Sequence, residues 1–334
     1  MTLKELATEL NMSTTTVSRV LNGQEKKYRI SARTAQLVRD KASAFGFAPN
    51  QIARDLRLRK TNTIGLVIPD ISNPFFANLA RAVEEALRKS GKMVLLCDTK
   101  DAESLEKESL QLLLARKVDG LLVAPVGNHW EHLAAISKVP LVLIDRYFER
   151  SKLPYVATDN YMGAYDACLH LIDQGHRSIA CIQGLINTST NTDRLAGFKA
   201  ALLEKNMIVN ETLLVGDDYS EQNGFQATQQ LLNADPRPTA IFALSNQIAI
   251  GALKAIAAAG LRVPEDISLL SYDEQSYFDL LSTPLTAVKQ PMVEIGKKAV
   301  ELLFDLLEGK SSQSHALKPQ LIIRSSVKAI PNSP

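Results

Sequence analysis

Two hydrophobic patterns divide this chain of 334 residues. Up to about residue 46, apolar side chains such as Leu3, Leu6 and Leu10 recur at helical spacing, which predicts short amphipathic helices. From Thr63 onwards, short and continuous apolar runs alternate with longer helical stretches. This alternation is typical of parallel sheets whose two faces are both covered by helices.

The N-terminal pattern predicts three short helices. The first spans residues 2–10, the second follows Ser13 as its N-cap and ends at Asn22-Gly23, and the third runs from Ser31 to Gly46. Two short helices joined by a tight turn are typical of a helix-turn-helix, whose second helix enters the major groove of DNA. The alternative is a small helical bundle with a polar face.

The second helix carries hydroxyls and an arginine on its outer face, while Val17, Val20 and Leu21 face inwards. Hydroxyl groups can bond bases or phosphates, and arginine can bond guanine through two hydrogen bonds. Two residues of the following loop are expected to contact the DNA backbone. The candidate DNA-binding residues of this region are Thr14, Thr15, Thr16, Ser18, Arg19 and Asn22 on the helix, and Tyr28 and Arg29 in the loop.

The remainder of the chain predicts parallel β-strands connected by helices. The predicted strands are residues 64–68, 93–97, 121–124, 141–144, 179–182, 240–243 and 267–270, and the predicted helices include residues 76–90, 104–116, 162–174 and 247–259. Sheets of this kind bind ligands at the carboxyl ends of their strands. Aromatic, amide, carboxylate and arginine side chains follow several of these strands, and such a mixture suits a sugar, with rings against its apolar faces and polar groups on its hydroxyls.

Several other chemistries lack a signature. No G-x-G-x-x-G or Walker motif follows the first strand, and no G-x-S-x-G or H-E-x-x-H motif is present, so we expect neither a cofactor nor an enzyme. Cys97, Cys168 and Cys181 are far apart in apolar runs, which predicts buried thiols and no metal site. His129 and His132 lack a third ligand nearby and are expected on the surface.

Charge is distributed unevenly along the chain. Residues 1–60 contain twelve basic and five acidic side chains, whereas the whole chain has a net charge of only +2. A basic head on an acidic body indicates that the head meets a polyanion. No apolar run reaches eighteen residues and no signal peptide is evident, so we expect a cytoplasmic, nucleoid-associated protein without a membrane partner.

Three segments carry a specific resemblance. LKELA at residues 3–7, STTTVSRVLN at 13–22 and FAPNQIARDLR at 47–57 closely resemble the lactose-repressor (LacI) family, and the similarity continues along nearly the whole chain. The resemblance implies an α/β protein with an N-terminal helix-turn-helix DNA-binding domain. It also implies a bilobed periplasmic-binding-protein-like domain made of two doubly wound parallel sheets.

In that family, the segment after the helical domain is a hinge helix that forms on operator DNA and enters the minor groove. Leu56 matches the leucine that wedges between base pairs, and its basic neighbours make it a poor core residue but a good wedge. The alternative is a linker residue that packs on the body. The hinge candidates are Asn50, Ala53, Arg54, Leu56 and Arg57.

The body resembles periplasmic ribose-binding protein, and this likeness selects the ligand-binding candidates. They are Asn73, Phe75, Phe76, Asp145, Arg146, Arg194, Tyr219, Ser245, Asn246, Asp273 and Gln290. Ser245-Asn246 departs from the usual Asn-Asp, which replaces a carboxylate with an amide. Two aspartates balance two arginines in this set, and a neutral, ribose-like sugar suits that balance. A nucleobase, a sugar acid or a phosphosugar is the alternative effector.

The combined expectation is a homodimeric repressor that binds a near-palindromic operator and changes its affinity when a sugar closes the cleft. A sugar-acting enzyme and a non-specific architectural DNA binder are the rival functions. We expect residues 1–46 to form the DNA-binding domain, 47–60 the hinge and 61–330 the effector domain. Within it, one lobe comprises about residues 61–158 and 291–318, and the other about 159–290 and 319–330.

Overall fold

The computed structural model describes residues 2–46, 60–311 and 313–331. It divides into two compact units, Met1–Thr61 and Asn62–Pro334. Most of the predicted hinge, residues 47–59, lies outside the described residues.

The N-terminal unit contains the three helices that the sequence predicts. They are α1 (Leu3–Glu9), α2 (Thr14–Leu21) and α3 (Ala32–Ala44). Each begins at a hydroxyl that accepts a backbone hydrogen bond from the first turn; on α2 this residue is Ser13 and on α3 it is Ser31. Leu6, Val17 and Val38 are fully buried, so one small core holds the three helices together.

The body consists of strands and helices that alternate over most of its length. Its described elements, in chain order, are β1 (Thr63–Ile68), α4 (Pro74–Lys89), β2 (Met93–Asp98), α5 (Glu103–Ala115), β3 (Gly120–Val123), α6 (Glu131–Ala134), β4 (Leu141–Ile144), β5 (Tyr155–Thr158), α7 (Asn160–Asp173), β6 (Ile179–Ile182), α8 (Ser189–Glu204), β7 (Leu214–Val215), α9 (Glu221–Leu232), β8 (Ala240–Ala243), α10 (Asn246–Ala258), β9 (Ser268–Tyr272), β10 (Thr286–Lys289), α11 (Met292–Leu307), β11 (His315–Leu317) and β12 (Gln320–Ile322).

These strands form two six-stranded sheets with equivalent strand orders. The first is β11-β5-β4-β3-β1-β2 and the second is β12-β10-β9-β8-β6-β7. Neighbouring strands are parallel, except that β10 and β12 are antiparallel. We call the first sheet with its covering helices the first lobe, and the second sheet with its covering helices the second lobe. The chain passes between the lobes after β5, after β10 and after β11. The expected architecture of two doubly wound sheets is confirmed.

Both faces of each sheet are buried, which explains the uninterrupted apolar strands. In β1, Leu66 packs towards α4 and α11 while Val67 packs towards α5. In β8, Ile241 packs towards α9 and α10 while Phe242 packs towards α7 and α8. Successive side chains of a strand point to opposite faces, so every position is apolar when helices cover both.

Two expectations about individual residues are wrong. Cys97 is only partly buried, unlike Cys168 and Cys181, because β2 is an edge strand of the first sheet. His132 is largely buried, since its Nε2 lies 2.6 Å from Oε1 of the fully buried Glu106, whereas His129 is exposed as expected. Among the described helices, the structure has none with the length and apolar character needed to span a bilayer.

A close approach between α7 and α8 generates a first prediction. A Cβ at Gly197 would lie 2.1 Å from the carbonyl oxygen of Tyr161, so Gly197→Ala must push the two helices apart. Overpacking of this kind costs about 1–3 kcal/mol or more, and thermal unfolding of the body should occur at a lower temperature. Ala196→Ser, which changes the exposed neighbouring position on α8, is the control and should leave the transition nearly unchanged. Equal stability of the two variants would contradict this packing.

Candidate functional site

A cavity lies between the two lobes at the carboxyl ends of both sheets. Its volume is about 490 Å³, which is within the range of small-molecule sites. The lining residues come from loops and helix starts that follow β1, β2, β4, β6, β7, β8 and β9. They are Asp70, Asn73, Phe75, Phe76, Asp101, Asp145, Arg146, Leu185, Thr190, Arg194, Asp218, Tyr219, Ser220, Glu221, Ser245, Gln247 and Asp273.

Arg146 and Asp145 follow β4 and supply the charge of the first lobe. Nη1 of Arg146 donates to Asp101 Oδ1 at 3.0 Å and to the carbonyl oxygen of Pro125 at 3.3 Å. Nε of Arg146 and Oδ1 of Asp145 are buried and have no hydrogen-bond partner among the described residues. Burial raises the pKa of Asp145 to about 6, although two arginines act against this shift. A polar ligand could satisfy both unpaired atoms, because one is a donor and the other an acceptor.

Arg194 on α8 is the central charge of the second lobe. Its Nε donates to Asn160 Oδ1 at 2.8 Å and its Nη1 to the carbonyl oxygen of Leu244 at 2.7 Å. Nη2 lies 3.6 Å from Oδ1 of Asp273, and the guanidinium carbon lies 3.7 Å from the ring centre of Tyr272. The side chain is 3% exposed, so its orientation towards the cavity is fixed by packing on several sides.

Asp273 occupies in the second lobe the place that Asp145 has in the first. Each follows a strand, and each has a left-handed backbone, with φ of 64° at Asp145 and 67° at Asp273. Aspartate tolerates this region better than most residues, and such strained positions cluster at functional sites. Asp273 Oδ1 accepts a 2.5 Å hydrogen bond from Gln290, and Gln290 accepts one from Thr158 of the first lobe.

Aromatic rings form the apolar part of the cavity. Phe75 and Phe76 at the start of α4 pack edge to face with ring centres 4.9 Å apart. Tyr219 comes from the second lobe, and its hydroxyl forms a 2.9 Å hydrogen bond with Thr190. A Cβ at Gly184 would lie 1.9 Å from Cε1 of this ring, so glycine is required for the ring to lie where it does.

Two predicted ligand residues also begin helices. Asn73 Oδ1 accepts from the Phe75 backbone N–H at 3.0 Å, and Ser245 Oγ accepts from that of Ile248 at 3.2 Å. Asn246 Nδ2 donates to Asn73 Oδ1 at 3.2 Å and so connects the two lobes. The oxygen of Asn73 is therefore already used inside the protein, and its amide nitrogen is the group left for a ligand.

Most of the predicted ligand residues come together at this cavity. Asn246 and Gln290 are buried beside it but do not line it. Sequence reasoning missed Asp101, which follows β2, and Thr190, which lies one helical turn before Arg194; strand ends and helical periodicity could have indicated both. The expected balance of two aspartates and two arginines does not hold for the whole lining, which has six carboxylates and two arginines. The missed lining residues are Asp70, Asp101, Leu185, Thr190, Asp218, Ser220, Glu221 and Gln247.

A buried pair outside the cavity supports the position of Arg146. Glu106 is fully buried; its Oε2 accepts the backbone N–H of Val126 at 2.8 Å and its Oε1 pairs with His132. This contact fastens the segment after β3, and Pro125 in that segment accepts a hydrogen bond from Arg146.

The predicted DNA-binding residues of the N-terminal unit lie on α2 and in the loop after it. Thr14 and Thr15 are exposed, while Thr16 and Ser18 are partly buried. Thr16 Oγ1 pairs with Ser13 at 2.8 Å, and Asn22 Nδ2 donates to the Ser18 carbonyl oxygen at 2.6 Å. Two of the polar groups are thus occupied within the helix.

The loop after α2 presents an exposed arginine next to an exposed tyrosine. Arg29 and Tyr28 are exposed, and the guanidinium carbon of Arg19 lies 3.7 Å from the ring centre of Tyr28. The hinge candidates Asn50, Ala53, Arg54, Leu56 and Arg57 lie outside the described residues.

Comparisons with known proteins agree with this architecture. Residues 2–50 match the model of the bacterial regulatory proteins of the lacI family, and residues 168–327 match that of the periplasmic binding protein-like domain. The chain is 33% identical over 333 residues to the HTH-type transcriptional repressor PurR of Pasteurella multocida, covering 98% of this chain and 99% of the relative.

Two solved structures are similar over nearly the whole length. The lac repressor dimer bound to operator and the anti-inducer ONPF has a TM-score of 0.87 and 27% identity, covering 98% of this chain and 99% of that chain. The complex of the transcriptional regulator CelR with cellobiose has a TM-score of 0.73 and 30% identity, with the same coverage.

The raised pKa of Asp145 predicts a pH-dependent cost in stability. Its folded-state pKa of about 6 exceeds the ordinary value of 3.8, so the folded protein takes up a proton more readily than the unfolded chain. The stabilising effect of that proton is present below pH 4 and is lost as the pH rises through 6. Asp145→Asn should therefore raise the free energy of unfolding at pH 7.5 by up to about 3 kcal/mol.

The measurement is urea unfolding of the wild-type protein and of Asp145→Asn between pH 4.5 and 7.5. The difference between them should shrink towards pH 4.5, while Asp217→Asn, at an exposed loop position, should show no such trend. A destabilised Asp145→Asn protein at pH 7.5 would contradict the prediction.

Proposed function

This chain belongs to the LacI family of bacterial regulatory proteins, and we propose that it is a repressor whose affinity for operator DNA is set by a small neutral sugar. As a member of that family it is a DNA-binding transcriptional regulator and not an enzyme. The observation that carries the proposal is the cavity in which Asp145 and Arg146 of the first lobe face Arg194 and Asp273 of the second.

The chemistry of this cavity favours a polyhydroxylated ligand. Paired carboxylates and guanidinium groups can bond adjacent hydroxyls, and Phe75, Phe76 and Tyr219 offer ring faces and edges to the apolar sides of a sugar. The cellobiose complex of CelR, a structural neighbour, is consistent with a sugar effector. Among the candidate effectors we propose a ribose-like sugar first.

The carboxylate surplus of the lining argues against anionic effectors. Six acidic side chains face two arginines, so a phosphosugar or a sugar acid would enter a cavity of its own sign. A nucleobase remains the principal alternative, because it is neutral and can stack on the aromatic rings. Titration of the protein with nucleobases and with sugars decides between these two classes of effector.

For the DNA-binding role, we propose that α2 enters the major groove with Thr14, Thr15, Ser18 and Arg19 towards the bases. This contact is supported or extended by Thr16, Asn22, Tyr28 and Arg29. The hinge candidates, with Leu56 as the wedge, lie outside the described residues. Two chains form a homodimer on a near-palindromic operator in the cytoplasm, as the operator-bound lac repressor dimer suggests by similarity.

The proposed domains are the DNA-binding domain of residues 1–46, the hinge of residues 47–60 and the effector domain of residues 61–330. Within the effector domain, one lobe comprises about residues 61–158 and 291–318, and the other about 159–290 and 319–330.

Coupling requires that the sugar favour one arrangement of the two lobes. Side chains of both lobes line the cavity, so a ligand that bonds Asp145 and Asp273 together stabilises the closed arrangement. Among the described residues, few side-chain hydrogen bonds cross the cleft; they include Asn246 to Asn73, Thr158 to Gln290 and the Tyr147 hydroxyl to Asp193 at 2.9 Å. A ligand can therefore add a large share of the cross-lobe interaction.

The effector proposal predicts a separation of functions. Arg194→Ala and Asp273→Ala should each lose sugar affinity by about 2–5 kcal/mol, since truncation leaves a buried partner charge uncompensated. Both proteins should still bind operator but no longer respond to the sugar. The measurement is isothermal titration with ribose, related sugars, phosphosugars and nucleobases, followed by operator binding with and without the ligand that titrates. Arg177→Ala is the control, because this exposed arginine lies before the amino end of β6, and its Nη1 donates to the backbone carbonyl oxygens of Ile172 and His176. Wild-type affinity in either pocket variant would contradict the assignment.

The DNA-binding proposal predicts two kinds of loss. Arg19→Ala should abolish discrimination between operator and random DNA, whereas Lys26→Ala, at an exposed loop position, should weaken binding to both and reduce the salt dependence. Base contacts specify the sequence, and phosphate contacts add affinity without specificity. Affinities for the two duplexes over a range of salt concentrations test this, and an equal loss on both for Arg19→Ala would refute its role in base reading.

A further inference from the structure

The loop between α2 and α3 places an aromatic ring against the arginine that is proposed to read bases. The guanidinium carbon of Arg19 lies 3.7 Å from the ring centre of Tyr28. This distance corresponds to stacking on the face of the ring, well inside the limit of about 6 Å for a cation–π contact. The ammonium of Lys27 is more distant, at 5.7 Å from the same ring centre. Arg19 is therefore the principal cation on this ring.

The loop holds the ring in this position through bonds to both flanking helices. The backbone N–H of Gln24 donates to the Arg19 carbonyl oxygen at 2.9 Å, and that of Ile30 donates to the Glu25 carbonyl oxygen at 2.9 Å. The Glu25 carboxylate pairs with Arg39 on α3, and a backbone hydrogen bond together with Arg39 lowers its pKa. The loop is thus bonded to α2 and to α3, and these bonds determine the position of Tyr28.

Stacking has a specific consequence for an arginine that binds DNA. A guanidinium that packs with its face on a ring keeps its N–H groups at the edge available, and these are the groups that bond guanine. Within residues 2–46, the structure gives the Arg19 side chain no hydrogen-bond acceptor or ion-pair partner. A free arginine side chain has many rotamers, and the ring reduces the number that must be given up on binding.

We propose that Tyr28 is a positioning residue for base recognition, whose ring orients Arg19 before the protein meets DNA. This assignment replaces the contact with the DNA backbone expected for Tyr28 from the sequence, in which its hydroxyl would matter more than its ring. It rests on the proposed function of α2 as the recognition helix. The two roles differ in the chemical group that they require, and so they can be separated by substitution.

The test uses the full chain and three variants at this position. Tyr28→Phe keeps the ring and removes the hydroxyl, Tyr28→Leu keeps apolar bulk without a π face, and Tyr28→Ala removes both. A duplex selected from a randomised library by the wild-type protein serves as the operator. The base pair read by Arg19 is defined as the one whose preference disappears in Arg19→Ala. Affinity is then measured for the selected duplex, for the duplex changed at that pair, and for random DNA, at several salt concentrations.

The ring hypothesis predicts that Tyr28→Phe behaves like the wild-type protein. Tyr28→Leu and Tyr28→Ala should lose roughly two- to fivefold in discrimination at that base pair in each half-site, the loss expected for an exposed cation–π contact. Their affinity for random DNA and their salt dependence should stay unchanged, because no phosphate contact is removed. Circular dichroism of each variant verifies that the helices persist, and Tyr28→Leu tests the ring if Tyr28→Ala unfolds.

Three results would overturn the inference. If Tyr28→Phe and Tyr28→Ala lose affinity equally for all duplexes with a reduced salt dependence, the hydroxyl contacts a phosphate. If Tyr28→Leu keeps full discrimination, the ring does not position Arg19. If the wild-type protein selects no sequence at all, the proposed DNA-binding function fails and this inference fails with it. If it does select one, only the role of Tyr28 is in question.

Discussion

The burial of the Arg194 guanidinium is the constraint on which the proposed effector site depends. A permanent charge that is 3% exposed needs partners on several sides. It finds them in Asn160 at the start of α7, the carbonyl oxygen after β8 and the carboxylate after β9. These partners fix the distance between α7 and α8, which Gly197 allows to pack in direct backbone contact. Several contacts therefore hold the cavity wall of the second lobe, although it consists of loops and helix starts.

The same cavity contains features that reduce stability. Asp145 and Asp273 have left-handed backbones, burial raises the pKa of both carboxyls, and polar atoms of Asp145 and Arg146 lack partners among the described residues. Such features persist where the surrounding fold is strong enough to hold them, and they are common at binding sites. A bound polyol would bond the unpaired groups of both lobes. The free energy of ligand binding would then also favour closure of the lobes. This is the physical basis on which an effector could bias the arrangement of the body.

The N-terminal unit uses a related principle on a smaller scale. Its three helices share one small core, and Arg19 on α2 is not part of it. A loop that is bonded to both flanking helices supplies an aromatic surface instead. In both units the surrounding protein holds an arginine in place, by burial in the body and by stacking in the head. Preorganisation of this kind lowers the entropy that binding must overcome.

Local pattern determined much of this protein. The apolar strands and the helix caps Ser13 and Ser31 follow from side-chain periodicity and from hydrogen bonding within a few residues. The rule that ligands bind at strand ends pointed to Asp145, Arg146 and Asp273, and the family resemblance selected them as candidates. The tertiary structure alone decided which groups meet across the chain. Asn246 bonds Asn73 from a distant part of the sequence, and His132 is buried on Glu106. No local pattern encodes such contacts, because they depend on how two sheets and their loops pack in space.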